Sequence, residues 1–515
     1  MGSSQRWNYY LGRTKAEATM ARSDFVIRNV ELYDGTGSPP HRADVAVTAD
    51  RISQVGPANS IAANSAIDGS GLALSPGFID AHTHDDFAAV LHPEMGFKVQ
   101  GGVTTCIVGN CGFGAAPWSA ASQMAPGIHP KGELPEWDGY GGYYELLDRE
   151  PPSVNIGALT GHGTIRAAVV GSAPAATAGQ IRAMRDLVRE GLDAGALGMS
   201  SGLVYEPGRH ADTAELVAVA SEMAGTTALY TTHMRNEGAH LLDSVREAIE
   251  IGERAGVAVQ ISHHKATGRQ NWGLVNESLK LIEDACNRGL DVSADQYPYT
   301  AGSTILSMIV ASGGVSGDSD ETGEAIRPSD LLISSTANHR EWEGRTLEDL
   351  AAEFGLNAVD AADKVLQAEP DATTIIFAQD EIDVQTVMAH PSTMIGSDGL
   401  PTLDGRPHPR LYGTFARVLG HYARDKGLFS MEDAIRRMTG FPATKFGLKD
   451  RGVIHKGGFA DLVLFDPGTI CDVATYEDPQ QHSAGIIKVW VNGELVVSDG
   501  AHTGKRPGRA LRRVD

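Results

Sequence analysis

Basic residues are in deficit: 43 lysines and arginines stand against 65 acids, a formal charge of -22. Phosphate backbones and anionic bilayers both call for a basic face, so this balance opposes nucleic acid and membrane surfaces as partners. Long apolar runs are missing as well. None approaches the roughly 20 residues that span a bilayer. Cysteine is scarce: Cys106, Cys111, Cys286 and Cys471 are the full set in 515 residues. They are too few and too scattered for a disulfide framework, which points to a reducing, cytoplasmic setting. Aromatics make up 6%, but 42% of the chain is hydrophobic and 21% charged, the composition of a globular protein with ample material for burial. The length exceeds one ordinary core, yet no low-complexity linker divides the chain. One large barrel with a satellite domain fits best.

Residues 1–21 mix Trp7 and two tyrosines with several charges and carry no apolar core like that of a secretory signal, so they are expected to form a disordered leader. Phe25 to Tyr33 and Ala43 to Val55 then read as β-strands bounded by glycine-rich turns. Ala460 to Phe465 and Ile487 to Val497 repeat the style, the latter broken by Asn492-Gly493, a strong two-residue hairpin signal. Short terminal strands cannot bury both faces alone. A small β-sandwich built from both termini, residues 22–76 and 451–515, is therefore expected, with residues 77–450 inserted between them.

The insert alternates apolar, strand-like runs with helical stretches such as Thr177 to Ala194, Leu241 to Ala255 and Leu274 to Arg288. Eight runs end near His84, Gly109, Gly161, Ser200, His233, His263, Asp295 and Asp398. That succession is expected of an α/β fold of the (β/α)8 TIM-like barrel type, whose reactive groups gather at the strand C-termini. The interval from Asp295 to Asp398 is too long for one crossover. It carries a Gly/Ser-rich patch and a helical pattern from Leu347 to Leu366, and reads as an inserted lid over about residues 300–375.

The densest chemistry lies in Pro76-Gly-Phe-Ile-Asp-Ala-His-Thr-His84, an apolar strand ending in His-x-His. Alternation along a strand puts His82 and His84 on one face, a ready pair of ligands for zinc. Taken alone, the pair could equally pack or hydrogen-bond. Cys111 follows the second run in a glycine-rich turn, where little bulk obstructs a ligand, although a lone cysteine is ordinarily a small buried hydrophobe. His233 ends the fifth run and His263 the sixth. Continued alternation would put Lys265 beside His263 and turn His264 away. Asp398, before a glycine, closes the eighth run against the first.

These residues carry a resemblance. His82-Thr-His84, Gly109-Asn-Cys-Gly112, Gly161-His-Gly163, Ser200-Ser-Gly-Leu203, His233-Met-Arg-Asn-Glu237, Ser262-His-His-Lys265, Tyr297-Pro-Tyr299, Gly396-Ser-Asp-Gly399 and His408-Pro-Arg410 together resemble the D-aminoacylase (N-acyl-D-amino-acid deacylase) family of the amidohydrolase superfamily. The likeness runs from about residue 24 to the C-terminus with its motifs in order. It implies the barrel and terminal sandwich, and a Zn2+ enzyme in which Cys111, His233 and His263 form one tight site while His82 and His84 serve a second, weaker one. No bridging lysine stands out. Asp398 joins the metal residues and is expected to accept a proton from the attacking water and pass it to the leaving amine. Lys265, Arg410, Tyr297 and, from the loop after the seventh run, Ser303 are the substrate-binding candidates, with the first three gripping a free carboxylate. Each has a plainer alternative: Lys265 could pair with a rim acid, Arg410 could hold its own loop, Tyr297 could fill the core. The activity implied is hydrolysis of small N-acyl-D-amino acids to a carboxylate and a free D-amino acid. A cyclic-amide hydrolase or deaminase on the same scaffold is the first rival, and a non-catalytic assembly protein the second.

Overall fold

The computed structural model describes residues 23–124, 127–128, 132–311, 314–315 and 326–514; the expected leader lies outside them. Both ends of the chain meet in one nine-stranded sheet. The junction is antiparallel pairing of Ala73–Pro76 with Leu462–Phe465, Leu74 opposite Leu464. Ile27, Val45, Leu74, Leu462 and Trp490 are buried together on this sheet. The stretch from Ala43 to Val55 is two strands, His41–Thr48 and Arg51–Pro57. Ala49 turns between them at φ +51, a left-handed bend that apolar patterning does not announce. At the far end the hairpin forms where the turn residues place it. Ile486–Val491 pairs with Glu494–Ser498, and Asn492 and Gly493 take φ +48 and +80, the left-handed pair that a tight hairpin requires.

Between the termini run parallel strands, numbered here in chain order: β1 Phe78–Asp80, β2 Val103–Val108, β3 Asn155–Ala158, β4 Gly198–Gly202, β5 Leu229–His233, β6 Ala258–Ile261, β7 Val292–Gln296 and β8 Thr393–Ile395. β1 to β3 pair in sequence, and β4 to β8 do the same. Leu197 N donates to Ala158 O at 2.8 Å where β3 passes to β4. Just beyond the strands, Thr83 bridges Gly399 in parallel sense, so the last segment returns to the first. Every residue of β2, β4, β5 and β7 is buried, as expected of parallel strands covered on both faces.

The helices between strands follow local signals. Ala178–Ala194 starts at a capping box, Thr177 accepting from Gln180 N while the Gln180 side chain returns to the cap. Leu241–Ala255 ends at Gly256 with φ +71. The pattern from Leu347 to Leu366 is two helices, Leu347–Phe354 and Ala358–Ala368, broken at left-handed Gly355 and restarted by the Asn357 cap. These helices belong to the long excursion between β7 and β8. It contains a three-stranded antiparallel sheet of Gly302–Ile305, Thr373–Ile376 and Leu331–Ser335, and a core of its own that includes Leu306, Ile333, Trp342, Leu350 and Val365. Among the described residues no helix is long and apolar enough to cross a membrane.

Candidate metal centre

At the C-terminal ends of the parallel strands the chain collects a sulfur, four imidazoles and two carboxylates, nearly all removed from water. Cys111 Sγ lies 3.3 Å from His82 Nε2 and 3.5 Å from His263 Nε2. His84 Nε2 is 3.2 Å from Asp398 Oδ1, and His82 Nε2 is 3.5 Å from the same oxygen. The His233 ring packs edge-on against His263 with centroids 4.3 Å apart. Glu237 approaches both, 3.0 Å from His263 Nδ1 and 3.8 Å from His233 Nε2. Three overlapping groups therefore have the reach to hold cations: His82, Cys111 and His263; His82, His84 and Asp398; His233, Glu237 and His263. A soft thiolate with imidazoles suits zinc, and carboxylate with imidazole suits a second divalent ion. Buried His233 Nδ1 has no hydrogen-bond partner, which is consistent with a lone pair kept for a metal.

Local backbone explains the convergence. Cys111, His263 and Asp398 sit at φ +53, +35 and +50, strained for residues with a Cβ. The cysteine turn is held by Ser200, whose Oγ accepts from Gly112 N at 2.9 Å and donates to Gly109 O. Gly112 must be glycine, since a Cβ there would meet Gly202 N at 2.8 Å. Alternation fails as the reason for the His82–His84 pairing, because β1 ends at Asp80 and both histidines lie past it. They are nevertheless neighbours, with ring centroids 5.6 Å apart. The same holds for the sixth run. β6 ends at Ile261, yet Lys265 Nζ reaches His263 Nδ1 at 2.9 Å while His264 turns to Ser278 Oγ at 2.8 Å.

Charges in so dry a cluster are set by neighbours. Burial disfavours the thiolate of Cys111, but His82, His263 and a hydrogen bond from His233 hold the thiol well below its ordinary range. Burial also opposes ionisation of Asp398, and Arg410, His263, His84 and His82 together hold its carboxyl well below the usual range. His84 resists burial through its hydrogen bond to Asp398 and rises to about 9. Burial draws His264 down to about 4.

The substrate-binding candidates surround the same place. Lys265 Nζ sits 2.7 Å from Glu237 Oε1, so the rim acid supplies its partner. Arg410, fully buried, donates through Nη2 to Asp398 Oδ2 at 2.9 Å. Its Nε and Nη1 have no partner. Its guanidinium lies 4.5 Å over the Tyr297 ring, and Tyr297 OH accepts from Gln379 Nε2 at 2.7 Å. Ser303 lines the cavity but gives its hydroxyl proton to Thr374 O at 2.8 Å.

A cavity of about 1010 Å³ opens above the centre, with His84, His233, His263, Lys265 and Asp398 in its walls. Facing these polar groups, Phe113, Ile128, Met308 and Leu400 form an apolar wall that packs with Cys111. Sequence reading assigned no task to Glu237, although it stands four residues after His233. It also passed over Lys98, a buried amine 2.8 Å from Asp80 Oδ2, 3.3 Å from Asp85 Oδ2 and 2.9 Å from Ser397 Oγ, which ties β1 to the segment leaving β8. A lone helical lysine between Phe97 and Val99 does not reveal which acids it will meet, because Asp80, Asp85 and Ser397 reach it only in the fold.

Parallel strands carrying a thiol, imidazoles and an acid at their C-terminal ends define a metal-binding hydrolase scaffold, and comparison with known proteins agrees. The chain belongs to the amidohydrolase family, whose profile matches residues 65–321 and 345–497, and within it groups with the D-aminoacylases. It is 43% identical to a D-aminoacylase of Alcaligenes xylosoxydans xylosoxydans over 95% of this chain and 98% of that protein. Its structure is similar to one reported for the binuclear metal centre of D-aminoacylase, with one-metal activation and second-metal attenuation. The TM-score is 0.87 at 42% identity, covering 95% of this chain and all of the other. The N-acyl-D-glutamate deacylase of Bordetella bronchiseptica, solved with zinc and a phosphonate that mimics the tetrahedral intermediate, matches with a TM-score of 0.84 at 39% identity, covering 95% and 100% of the two chains.

Proposed function

We propose that this protein is a zinc-dependent hydrolase of N-acyl-D-amino acids, releasing a carboxylate and a free D-amino acid. The observation that carries the reading is the meeting of Cys111, His263 and His82 beside Asp398 and Arg410, with His263 and Asp398 in the wall of one cavity. The named activities of similar proteins support it. The strand succession from β1 to β8, with Thr83 bridging Gly399, supports a closed (β/α)8 barrel over residues 77–450. The described part of the excursion over about residues 300–375 is its lid, and the described residues within 22–76 and 451–515 form the terminal sandwich. The four scattered cysteines, none paired, support a cytoplasmic setting.

In this reading Cys111, His233 and His263 hold the tight ion, and His82, His84 and Asp398 hold the weaker one. When bound, zinc supplies a Lewis acid for the amide carbonyl and a bound water of nearly neutral acidity. The chain's own groups do the rest. Asp398, kept ionised by Arg410, accepts the water proton as oxygen adds to the carbonyl carbon, then delivers it to the amide nitrogen as the C–N bond breaks. Arg410, whose Nε and Nη1 have no partner, grips the substrate carboxylate, and Lys265 and Tyr297 flank it. Ser303 completes the wall. The apolar face of Phe113, Ile128, Met308 and Leu400 suits an uncharged substituent.

Incubating the zinc-loaded protein with N-acetyl-D-methionine, its L enantiomer and a hydantoin tests the proposal. Release of D-methionine alone is expected. Cleavage of the hydantoin alone would overturn it in favour of a cyclic-amide hydrolase, and inactivity on all three with no zinc retained would favour a non-catalytic role.

A further inference from the structure

Asp295 stands at the end of β7, only 1% exposed and outside the walls of the cavity. Its Oδ1 lies 3.1 Å from His82 Nδ1 and also accepts the backbone N–H of His263 at 2.7 Å. Its Oδ2 accepts from Gln260 Nε2 at 2.9 Å, and Gln260 Oε1 is itself fixed by the Ser293 hydroxyl at 2.6 Å. One carboxylate thus joins the segment after β1, both ends of the β6–His263 connection and β7.

Two consequences follow from its chemistry. Asp295 Oδ1 already accepts the His263 N–H at 2.7 Å and so meets His82 as an acceptor, which puts the hydrogen on His82 Nδ1. That leaves the Nε2 lone pair facing Cys111 Sγ, 3.3 Å away. His263, meanwhile, sits at φ +35, a conformation that a residue with a Cβ adopts only when its surroundings impose it. The short bond from its N–H to Asp295 is one such restraint. Removing the carboxylate would free His82 to take the other tautomer and release the peptide that aims His263.

We propose that Asp295 is a positioning residue of the metal centre, one that sets the His82 tautomer and the His263 backbone together and touches neither substrate nor the reacting atoms. This rests on the metal reading above, and the readout is zinc affinity rather than turnover. Zinc is titrated against a chromophoric chelator with wild type, Asp295→Asn and Asp295→Ala. Asp44→Asn, a change in the distant terminal sheet, serves as a control for general loss of stability. Asparagine fills the same volume but supplies one acceptor where three donors converge, so Asp295→Asn should weaken zinc binding about tenfold and Asp295→Ala by up to about 100-fold, the range for an outer partner of a ligand. Asp44→Asn should lower the melting temperature and leave zinc affinity unchanged. Wild-type affinity in Asp295→Asn would overturn the proposal, as would an equal loss in Asp44→Asn; should Asp295→Ala not fold, the asparagine variant decides. A wild type that binds no zinc would instead overturn the metal reading itself.

Discussion

Arg410 Nη2 holds Asp398 Oδ2 at 2.9 Å, and both groups are buried. The pair keeps Asp398 ionised while leaving Oδ1 to the imidazoles of His84 and His82. Asp398→Asn should therefore lower kcat by about 100- to 10,000-fold, the worth of a positioned proton shuttle, with zinc retained by Cys111, His233 and His263. Arg410→Lys keeps the charge but loses the planar fork. Loss of one charge-assisted bond, about 2 kcal/mol, predicts a rise of roughly thirtyfold in KM. Steady-state kinetics and metal content on both variants check this. Undiminished kcat in Asp398→Asn would remove the shuttle.

Cys111 brings the one sulfur to the cluster among the described residues, its thiol held low by three imidazoles. Serine has nearly the same shape but does not ionise at neutral pH, so Cys111→Ser leaves the centre without its anionic sulfur. Zinc affinity should fall by more than the roughly 100-fold that an outer partner can cost. The turn itself should survive, because Ser200 and Gly112 hold it through backbone atoms. Chelator competition alongside circular dichroism separates the two effects. A Cys111→Ser protein that keeps wild-type zinc affinity would exclude sulfur as a ligand.

What was legible in the sequence was local. Asn492-Gly493 announces its hairpin because the turn chemistry lies in those two residues, and Gly256 marks the end of its helix for the same reason. Ala49 and Gly355 carry equally local breaks, but one looks like strand and the other sits inside an apolar period. In the site, His82, His84, Cys111, His233, His263 and Asp398 stand out by type and order, and the structure gathers them in three overlapping groups, Cys111 and His263 sharing one with His82, and His233 and His263 another with Glu237. The period-two argument behind two of the pairings was right in outcome and wrong in cause, since the strands end before the histidines begin. Glu237, Asp295 and Lys98 stayed hidden. An acid among 65 says nothing of which imidazole it will meet, and that pairing exists only once distant strands are adjacent.

The apolar wall beside Cys111 bears on substrate choice. Of the arginines lining the cavity, Arg235 is held by Glu247 at 2.9 Å, while Arg327 and Arg269 share Asp330 at 2.7 and 3.7 Å. Among the described residues, therefore, these cations are already paired, and a second carboxylate on the substrate would face Phe113, Ile128, Met308 and Leu400. Stripping an acid of water without a partner costs about 1–3 kcal/mol or more. N-acetyl-D-methionine and N-acetyl-D-leucine should thus exceed N-acetyl-D-glutamate in kcat/KM by at least about tenfold, with the acyl group held constant. A preference for the glutamate derivative would show that the side chain is directed away from this wall.

Far from the centre, Asp44 governs a pH effect of its own. Oδ1 accepts the N–H groups of Asn29 and Asn59 at 3.0 and 2.8 Å, and Oδ2 those of Ser60 and Ile61 at 2.9 and 3.1 Å. Burial disfavours the charge, but these four donors outweigh it and lower the carboxyl below its usual range. The sign follows from proton binding. The unfolded chain takes up the proton near pH 3.9 and the folded one only at lower pH, so this stabilisation is complete above that region and fades as pH falls through the folded value. Asp44→Asn turns one acceptor into a donor aimed at two N–H groups, and should cost about 1–3 kcal/mol at neutral pH. Melting curves of the two proteins from pH 7 down to pH 2 should converge at the acid end as wild type loses its advantage. A gap that stays constant over the whole range would show that the carboxylate charge is not what holds residues 59–61.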